Sequence, residues 1–209
     1  MTTARRGKDR RPPPVAGTVD PPVPAPSAPV TDLDAALAEL RVGRESGFVQ
    51  VYRAVHPALL RYLTVLVGDQ AEDVAQETWV QVCRDLHQFS GDAGAFRAWL
   101  TTIGRNRALD HLRAHRRRPV DPVPDDQFGH YAGPDDTAVQ AIDALTTETA
   151  IALIASLPPD QAEAVMLRAV LGLDAKRAAE VMAKRPGAVR TLAYRGLQTL
   201  ARRIEADRP

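Results

Sequence analysis

The sequence predicts an all-α protein in which two helical domains are joined by an acidic flexible linker. Apolar residues recur at the helical period in several segments, and no segment alternates apolar and polar residues over the length of a strand. One stretch rich in Pro and Asp, without Lys or Arg, separates the helical segments. We therefore expect an N-terminal helical bundle and a C-terminal four-helix domain with a helix-turn-helix.

The first part of the chain divides into a tail and a helical domain. Residues 1–30 are rich in Pro and Arg and lack periodicity, which predicts a disordered tail. A helical domain is expected over residues 31–118, with Pro57 as a kink in its second helix. Its helical segments are TDLDAALAELRVG, SGFVQVYRAVHPALLRYLTVLVGD, AEDVAQETWVQVCRDLHQF and GDAGAFRAWLTTIGRNRALDHLRAHRRR.

The second part begins with the acidic segment. Residues 119–144 contain six Asp, four Pro and no Lys or Arg, a composition that predicts a linker. The C-terminal domain is expected over residues 145–209. Its helices are predicted roughly at 145–156, 159–171, 174–183 and 186–205, separated by LPPD, LGLD and RPG.

The segment AEDVAQETWVQV has an unusual polar side. Ala75, Trp79, Val82 and Leu86 form an apolar stripe at the helical period, which predicts a buried face. The opposite side gathers carboxylates and amides without any Lys, at Asp73, Gln76, Glu77 and Gln81. Such groups can pair with Arg of a partner helix, or they can form ion pairs within the bundle.

Basic residues accumulate in the helix that follows. After Gly104 come Arg105, Arg107, Arg113, Arg116, Arg117 and Arg118, against one Asp110. This density suits a phosphate backbone, although a solubilising helix end has the same composition. The loop HQFSGDAGAF before this helix is small and polar and can form the rim of a pocket for an unstacked base.

The last two helices have the organisation of a helix-turn-helix. Asp174 is a candidate cap for the first helix, the turn falls at 182–186, and Pro186 suits the first position of the second helix. An outward face with Arg and Thr near its N-terminus can enter a major groove, although an ordinary bundle helix can carry the same face. In this second helix the inward stripe is predicted to be Val189, Ala193, Gly196, Leu200 and Ile204.

Together, AEDVAQETWVQV, FRAWLTTIGRNRALDHLR, the acidic linker and RPGAVRTLAYRGL resemble bacterial RNA polymerase sigma factors of the extracytoplasmic-function (ECF) group of the sigma-70 family, over about residues 43–205. The resemblance implies docking on the polymerase β′ clamp helices through Asp73, Gln76, Glu77 and Thr78. It implies contacts to the promoter −10 element by Arg105, Asn106, Arg107, Arg113, Arg116 and Arg117. It implies contacts to the −35 element by Arg185, Gly187, Arg190, Thr191, Tyr194 and Arg195.

The resemblance also implies partners: core RNA polymerase through its β′ and β subunits, promoter DNA, and an anti-sigma factor. In this family the linker threads through the polymerase cleft that later holds RNA. Two positions depart from the family pattern, because Leu192 replaces a usual Arg and Tyr194 a usual His. The −35 sequence that this chain prefers is therefore not implied.

The His and Cys content and the lack of a long apolar run exclude several classes of function. The five His residues lack metal-ligand spacing and a Ser or Cys partner, so we expect no catalysis, no metal and no cofactor. The single Cys83 excludes an intrachain disulfide, and no apolar run approaches the roughly 18 residues of a membrane span, so a cytoplasmic protein is expected. Two other functions remain open: a free-standing helix-turn-helix regulator, and a helical adaptor that does not bind DNA.

Overall fold

The computed structural model describes residues 32–117 and 138–206, with side chains over 32–115 and 147–206. Within these ranges every regular element is helical, which confirms the predicted all-α class. The helices are α1 (Leu33–Arg41), α2 (Glu45–Val67), α3 (Ala71–Asp85), α4 (Ala93–Arg117), α5 (Ala138–Ala155), α6 (Pro159–Val165), α7 (Ala175–Met182) and α8 (Pro186–Ala206).

Two predicted segments fall wholly or mostly outside this description. The tail at 1–30 lies outside it, and so does the predicted linker up to residue 137. The end of the predicted linker differs from the structure, because α5 begins at Ala138 rather than at residue 145. The sequence AVQAIDA contains no Pro or Gly that would stop a helix there.

Helices α1 to α4 form the N-terminal body, with α2 at its centre. α2 contacts α1, α3 and α4, and its Val51, Val55, Leu59 and Leu63 are at most 2% exposed. Burying each such side chain contributes about 1.5–3 kcal/mol. The exposed Pro57 lies within α2, and the helix continues through it.

α1 is held close to α2. Its first turn is capped by Asp32, whose Oδ1 accepts from the backbone N–H groups of Asp34 at 3.1 Å and Ala35 at 3.2 Å. The two helices approach most tightly at Gly47, where an added Cβ would lie 2.4 Å from the backbone nitrogen of Leu40. The close packing of α1 against α2 therefore requires a glycine at position 47 of α2.

Helices α5 to α8 form the C-terminal body. α8 contacts α6 and α7, and Val189, Ala193, Gly196 and Leu200 of the predicted inward stripe are buried. The prediction for Ile204 is wrong, because this side chain is 54% exposed. At that turn the exposed Arg203 donates to the hydroxyl of Ser156, directly after α5.

The predicted helix-turn-helix is confirmed within this body. Asp174 caps α7 by accepting from the N–H groups of Lys176 and Arg177, each at 2.9 Å. α7 ends at Met182, and Ala183 adopts the left-handed conformation with φ 52° and ψ 42°. Pro186 then opens α8, as expected for a residue that needs no N–H donor in the first turn.

The two bodies contact each other directly. α2 lies against α5 and α6, and α4 lies against α7. Buried apolar residues of both bodies form one continuous cluster. α4, which carries the residues assigned to the −10 element, therefore lies partly against the C-terminal body.

Candidate partner and nucleic-acid interfaces

The exposed face of α3 carries most of the predicted polymerase-facing residues. Asp73, Gln76 and Glu77 are exposed and lie on one side of the helix. Thr78 departs from the predicted set: it has 0% exposure, and its hydroxyl donates to the Val74 carbonyl at 2.7 Å. A side chain without exposed surface cannot contact a partner, so the candidate face consists of the other three residues.

The buried side of α3 fixes the orientation of this face. Trp79 Nε1 donates to Nδ1 of His56 at 3.2 Å, and the Trp79 ring lies 4.9 Å from that of Tyr52 and 5.8 Å from that of Phe48. Burial lowers the pKa of the His56 imidazole below its ordinary value, while the charge of Glu72 opposes this shift. The neutral ring can accept the indole hydrogen bond, so α3 is anchored firmly on α2.

One residue assigned to DNA links α4 to α3. Arg107 Nη2 donates to Oε1 of Gln81 at 2.8 Å, and its Nη1 lies 3.9 Å from Oε2 of Glu77. Ion pairing within the bundle, which the sequence left open, is thus present at Glu77. Because Arg107 and Glu77 are both partly exposed, the contact is a weak one.

The remaining basic residues of α4 differ in their surroundings. Asn106 is exposed, and Arg113 is exposed and pairs with Asp110 at 2.8 Å. Arg105 instead reaches the C-terminal body, where its Nε donates to Oε1 of Glu163 at 2.5 Å. This hydrogen bond raises the pKa of Arg105, with desolvation acting against it. The side chains of Arg116 and Arg117 lie outside the described ones.

The loop before α4 is built on an aromatic platform. The rings of Phe89 and Trp99 are stacked with centroids 5.0 Å apart, and the Arg41 guanidinium lies 5.5 Å from the centroid of Phe89. Arg41 Nη2 also donates to the carbonyl of Gly91 at 2.5 Å. Trp99 therefore belongs to the platform and also packs, partly buried, against the hydrophobic core.

α1 holds the same loop at a second point. Oδ1 of Asp34 accepts from the N–H of Ala93 at 2.7 Å, and Asp92 accepts from the N–H of Ala95 at 2.6 Å. Two carboxylates thus satisfy donors at the start of α4, where the helix dipole favours negative charge. The loop and the start of α4 are held in place by α1.

Five of the six residues assigned to the −35 element lie on the outward face of α8, and Arg185 directly precedes the helix. All six are exposed: Arg185, Gly187, Arg190, Thr191, Tyr194 and Arg195. A Cβ built at Gly187 meets no atom within 4 Å, so a ligand could approach the backbone there. The side chain of Tyr194 is 62% exposed, and its hydroxyl accepts from Gln198 Nε2 at 2.6 Å.

Several residues of the site escaped sequence reasoning. Glu163 is 6% exposed and accepts from the Tyr62 hydroxyl at 3.0 Å as well as from Arg105. Burial, followed by the charge of Glu163, raises the pKa of Tyr62 well above its ordinary value. These partners lie far apart in the chain, so no local pattern indicates them. Asp92 could have been found, because a lone Asp before a helical segment is a capping signal.

Within the described residues, no group of three or more His, Cys, Asp or Glu side chains is arranged to hold a metal ion. Among the same residues, no helix is both long and apolar enough to cross a membrane.

Comparisons with known families identify both bodies. A family model described as Sigma-70 region 2 matches residues 51–118. A second one, described as Sigma-70, region 4, matches residues 147–200. The first match covers the exposed face of α3, the loop and α4, and the second covers the helix-turn-helix.

Curated relatives extend the similarity to most of the chain. The ECF RNA polymerase sigma factor BldN of Streptomyces coelicolor is 32% identical over 188 residues, which span 86% of this chain and 70% of the relative. The ECF RNA polymerase sigma factor SigD of Mycobacterium tuberculosis is 32% identical over 183 residues, or 83% of this chain and 84% of the relative.

Two solved structures share the fold. CnrH in complex with the cytosolic domain of CnrY aligns with a TM-score of 0.57 at 22% identity, over 85% of this chain and 100% of that chain. The sigma factor RpoE of Bartonella quintana, in complex with the anti-sigma factor NepR, aligns with a TM-score of 0.55 at 24% identity, over 77% of this chain and 98% of that chain.

Proposed function

The chain belongs to the ECF group of RNA polymerase sigma factors, which give core polymerase its promoter choice, and we propose a role for each of its candidate interfaces. The exposed face of α3 docks on the β′ clamp helices. The loop before α4, together with α4, engages the −10 element. The outward face of α8 reads the −35 element.

The observation that carries the docking role is the arrangement of α3. Asp73, Gln76 and Glu77 are exposed on a helix whose opposite side is buried and anchored through Trp79. A rigid row of carboxylates and an amide can form charge-assisted hydrogen bonds with Arg of a partner helix without first being ordered. The Glu77–Arg107 pair is exposed enough to be exchanged for such a partner.

The −10 role is supported by the loop. A stacked pair of aromatic rings with a guanidinium above it provides the surface on which an unstacked base gains stacking energy, about 1–3 kcal/mol per base. The hydrogen bonds from α1 fix the loop before DNA arrives, so its ordering is not a cost of binding. Asn106 and Arg113 are exposed beyond the loop and suit backbone contacts.

The −35 role is supported by the exposed face of α8. Arg190, Thr191 and Arg195 lie on one side of a helix whose other side is buried against α6. A helix with this division can lie in a major groove, with Arg contacting phosphates or guanine edges. Of the two positions that depart from the family pattern, Tyr194 is exposed on this face, whereas Leu192 is partly buried and packs against the core.

Partners and location follow from the same role. Because two similar structures are complexes, RpoE with an anti-sigma factor and CnrH with CnrY, we propose that this chain too has a protein inhibitor. A non-enzymatic role without metal or cofactor and a cytoplasmic location accord with the family. The acidic segment before α5, residues 119–137, is proposed to enter the polymerase cleft, where its Asp residues suit a channel that accepts a polyanion.

The test is reconstitution with core polymerase. We expect the wild-type protein to form a stable complex in size exclusion, and the Asp73→Arg/Glu77→Arg variant to lose it. The matched control is Glu45→Arg/Glu180→Arg, which makes the same change in net charge at exposed sites on α2 and α7. This control should bind as the wild type does.

Each outcome separates the candidate functions. Equal binding by both double variants would remove α3 as the docking face. If the folded wild-type protein fails to bind core polymerase, the sigma role is contradicted. A free-standing regulator would then bind duplex promoter DNA alone, and a helical adaptor would show no salt-dependent DNA binding.

A further inference from the structure

We propose that Tyr194, held in place by Gln198, reads one base of the −35 element as a hydrogen-bond donor and thereby disfavours cytosine at that position. Tyr194 contacts the base, and Gln198 is a positioning residue that acts through Tyr194. This base reading rests on the −35 role proposed above for α8, and it assigns the choice among bases at one position to a single side chain.

The two side chains form a hydrogen-bonded pair on the surface of α8. Tyr194 and Gln198 are both exposed and lie about one helical turn apart. Gln198 Nε2 donates to the hydroxyl oxygen of Tyr194 at 2.6 Å. Tyr194 is 62% exposed, so most of its surface faces solvent. The hydrogen bond therefore restricts the hydroxyl before DNA binds, and that part of the ordering is not a cost of binding.

The direction of this hydrogen bond determines what the hydroxyl can offer to DNA. A phenol has one hydrogen to donate and also accepts through its oxygen lone pairs. Because Gln198 donates to the oxygen from one side, the hydroxyl hydrogen of Tyr194 is left to point to the other side. A hydroxyl that already accepts a hydrogen bond is also a stronger donor, since hydrogen bonds in a chain polarise one another.

A neighbouring hydroxyl on the same helix is used differently. Thr191 lies three residues before Tyr194, and its Oγ1 donates to the backbone carbonyl of Gly187 at 3.0 Å. Its hydrogen is therefore satisfied within the helix. Of these two hydroxyls, that of Tyr194 keeps its hydrogen for a partner outside, on the side of α8 that also carries Arg190 and Arg195.

An outward hydroxyl hydrogen distinguishes the bases in a major groove. Guanine presents two acceptors there, adenine and thymine present one each, and cytosine presents the donor hydrogens of its amino group. To face cytosine, Tyr194 would have to turn its hydrogen toward Gln198 and give up that hydrogen bond. One hydrogen bond of ordinary net strength corresponds to roughly a fivefold difference in binding.

The experiment is a selection from random DNA. The full-length protein is combined with core polymerase and a pool of duplexes with a randomised promoter region, and the bound DNA is sequenced to obtain the base preference at each position. Tyr194→Phe removes the hydroxyl, and Gln198→Glu replaces the amide donor by a carboxylate that only accepts. The matched control is Gln50→Glu, which makes the same chemical change at an exposed site on α2. Circular dichroism verifies that every variant keeps its helicity.

We expect one −35 position at which the wild type and the Gln50→Glu control disfavour cytosine roughly fivefold. Tyr194→Phe should lose the preference at this position alone. In Gln198→Glu the hydroxyl should donate to the carboxylate and turn its oxygen lone pair outward. The same position should then favour cytosine or adenine, whose amino groups donate.

The reversal separates positioning from a structural role of Gln198. The added negative charge weakens binding to the DNA backbone for all sequences alike, so it does not alter the comparison among bases. Loss of a purely structural contact would likewise lower affinity without reversing a preference. Only a change in the direction of the Tyr194 hydroxyl reverses it.

Other results overturn the proposal. If Tyr194→Phe keeps every base preference of the wild type, Tyr194 does not read a base. If Gln198→Glu keeps the wild-type preference at the position that Tyr194→Phe affects, Gln198 does not set the direction of the hydroxyl. A wild-type protein that selects no −35 sequence would overturn the −35 role and the base reading together. Failure of the proposed function and failure of this base reading are therefore separately visible.

Discussion

The substitution Gly47→Ala tests how the loop before α4 is held. Gly47 lies in the first turn of α2, where α1 crosses it. α1 carries Asp34 and Arg41, which bond Ala93 and Gly91 at the loop. Displacing α1 should therefore loosen the loop without touching any residue that contacts it.

The magnitude follows from the geometry at the crossing. An added Cβ would lie 2.4 Å from the backbone nitrogen of Leu40 and 2.8 Å from the backbone carbon of Glu39, closer than real Cβ atoms approach. Because these are backbone atoms, only a shift of α1 relieves the clash. Overpacking costs about 1–3 kcal/mol, and Ala returns up to about 1 kcal/mol of helix propensity. We expect a net loss of about 1–2 kcal/mol in the free energy of unfolding.

Thermal unfolding and hydrogen exchange measure the two effects. For a chain of this size the loss lowers the midpoint by roughly 2–8 °C. Peptides covering residues 86–96 should exchange faster in the variant. The control is Gly187→Ala, where the added Cβ meets no atom within 4 Å, and its midpoint should change little. Equal midpoints for the two variants, or unchanged exchange in the loop, would refute the dependence on α1.

Three further outcomes are expected. The free energy of unfolding should fall as pH is lowered from about 7 to 5. Because the pKa of His56 is lowered in the folded protein, the unfolded chain takes up the proton first, near pH 6.5. Urea unfolding should show a smaller fall for His56→Gln than for the wild type, and an equal fall would contradict this explanation. Ala183→Gly should raise the free energy of unfolding by about 0.5–1 kcal/mol, because Gly adopts the left-handed conformation without strain, whereas Ala188→Gly in α8 should lower it. Thermal unfolding measures both changes, and a lower midpoint for both variants would argue against relief of strain at Ala183. Asp34→Ala should speed amide exchange of Ala93 by removing its acceptor, as measured by NMR, and an unchanged rate would show that the bond is not formed in solution.

Much of the fold was predictable because its signals are local. The stripe of Val51, Val55, Leu59 and Leu63 and the cap at Asp174 follow from spacing and from short-range hydrogen bonding, which sequence displays directly. The exposed faces of α3 and α8 follow for the same reason. Thr78 shows where such local reasoning fails. A polar residue beside a polar face can be buried when its hydroxyl donates to the backbone carbonyl one turn earlier.

What sequence could not provide is long-range pairing. The contact of Glu163 with Tyr62 and Arg105 depends on how α6 packs against α2, which no periodicity encodes. The same holds for Asp34 and Arg41, whose loop partners lie 59 and 50 residues further along the chain. In the sequence alone, such residues cannot be distinguished from charged surface residues that have no partner in the fold.

The position of α1 matters for exchanging segments between relatives. The match to sigma-70 region 2 begins at residue 51, so α1 lies ahead of the shared module. In a chimera joined at residue 51, the loop proposed to engage the −10 element would lose its hydrogen bonds to Asp34 and Arg41 unless the other relative carries the same side chains at these positions. A junction placed before Asp32 transfers the loop with its support, and only such hybrids should inherit the −10 preference of the donor.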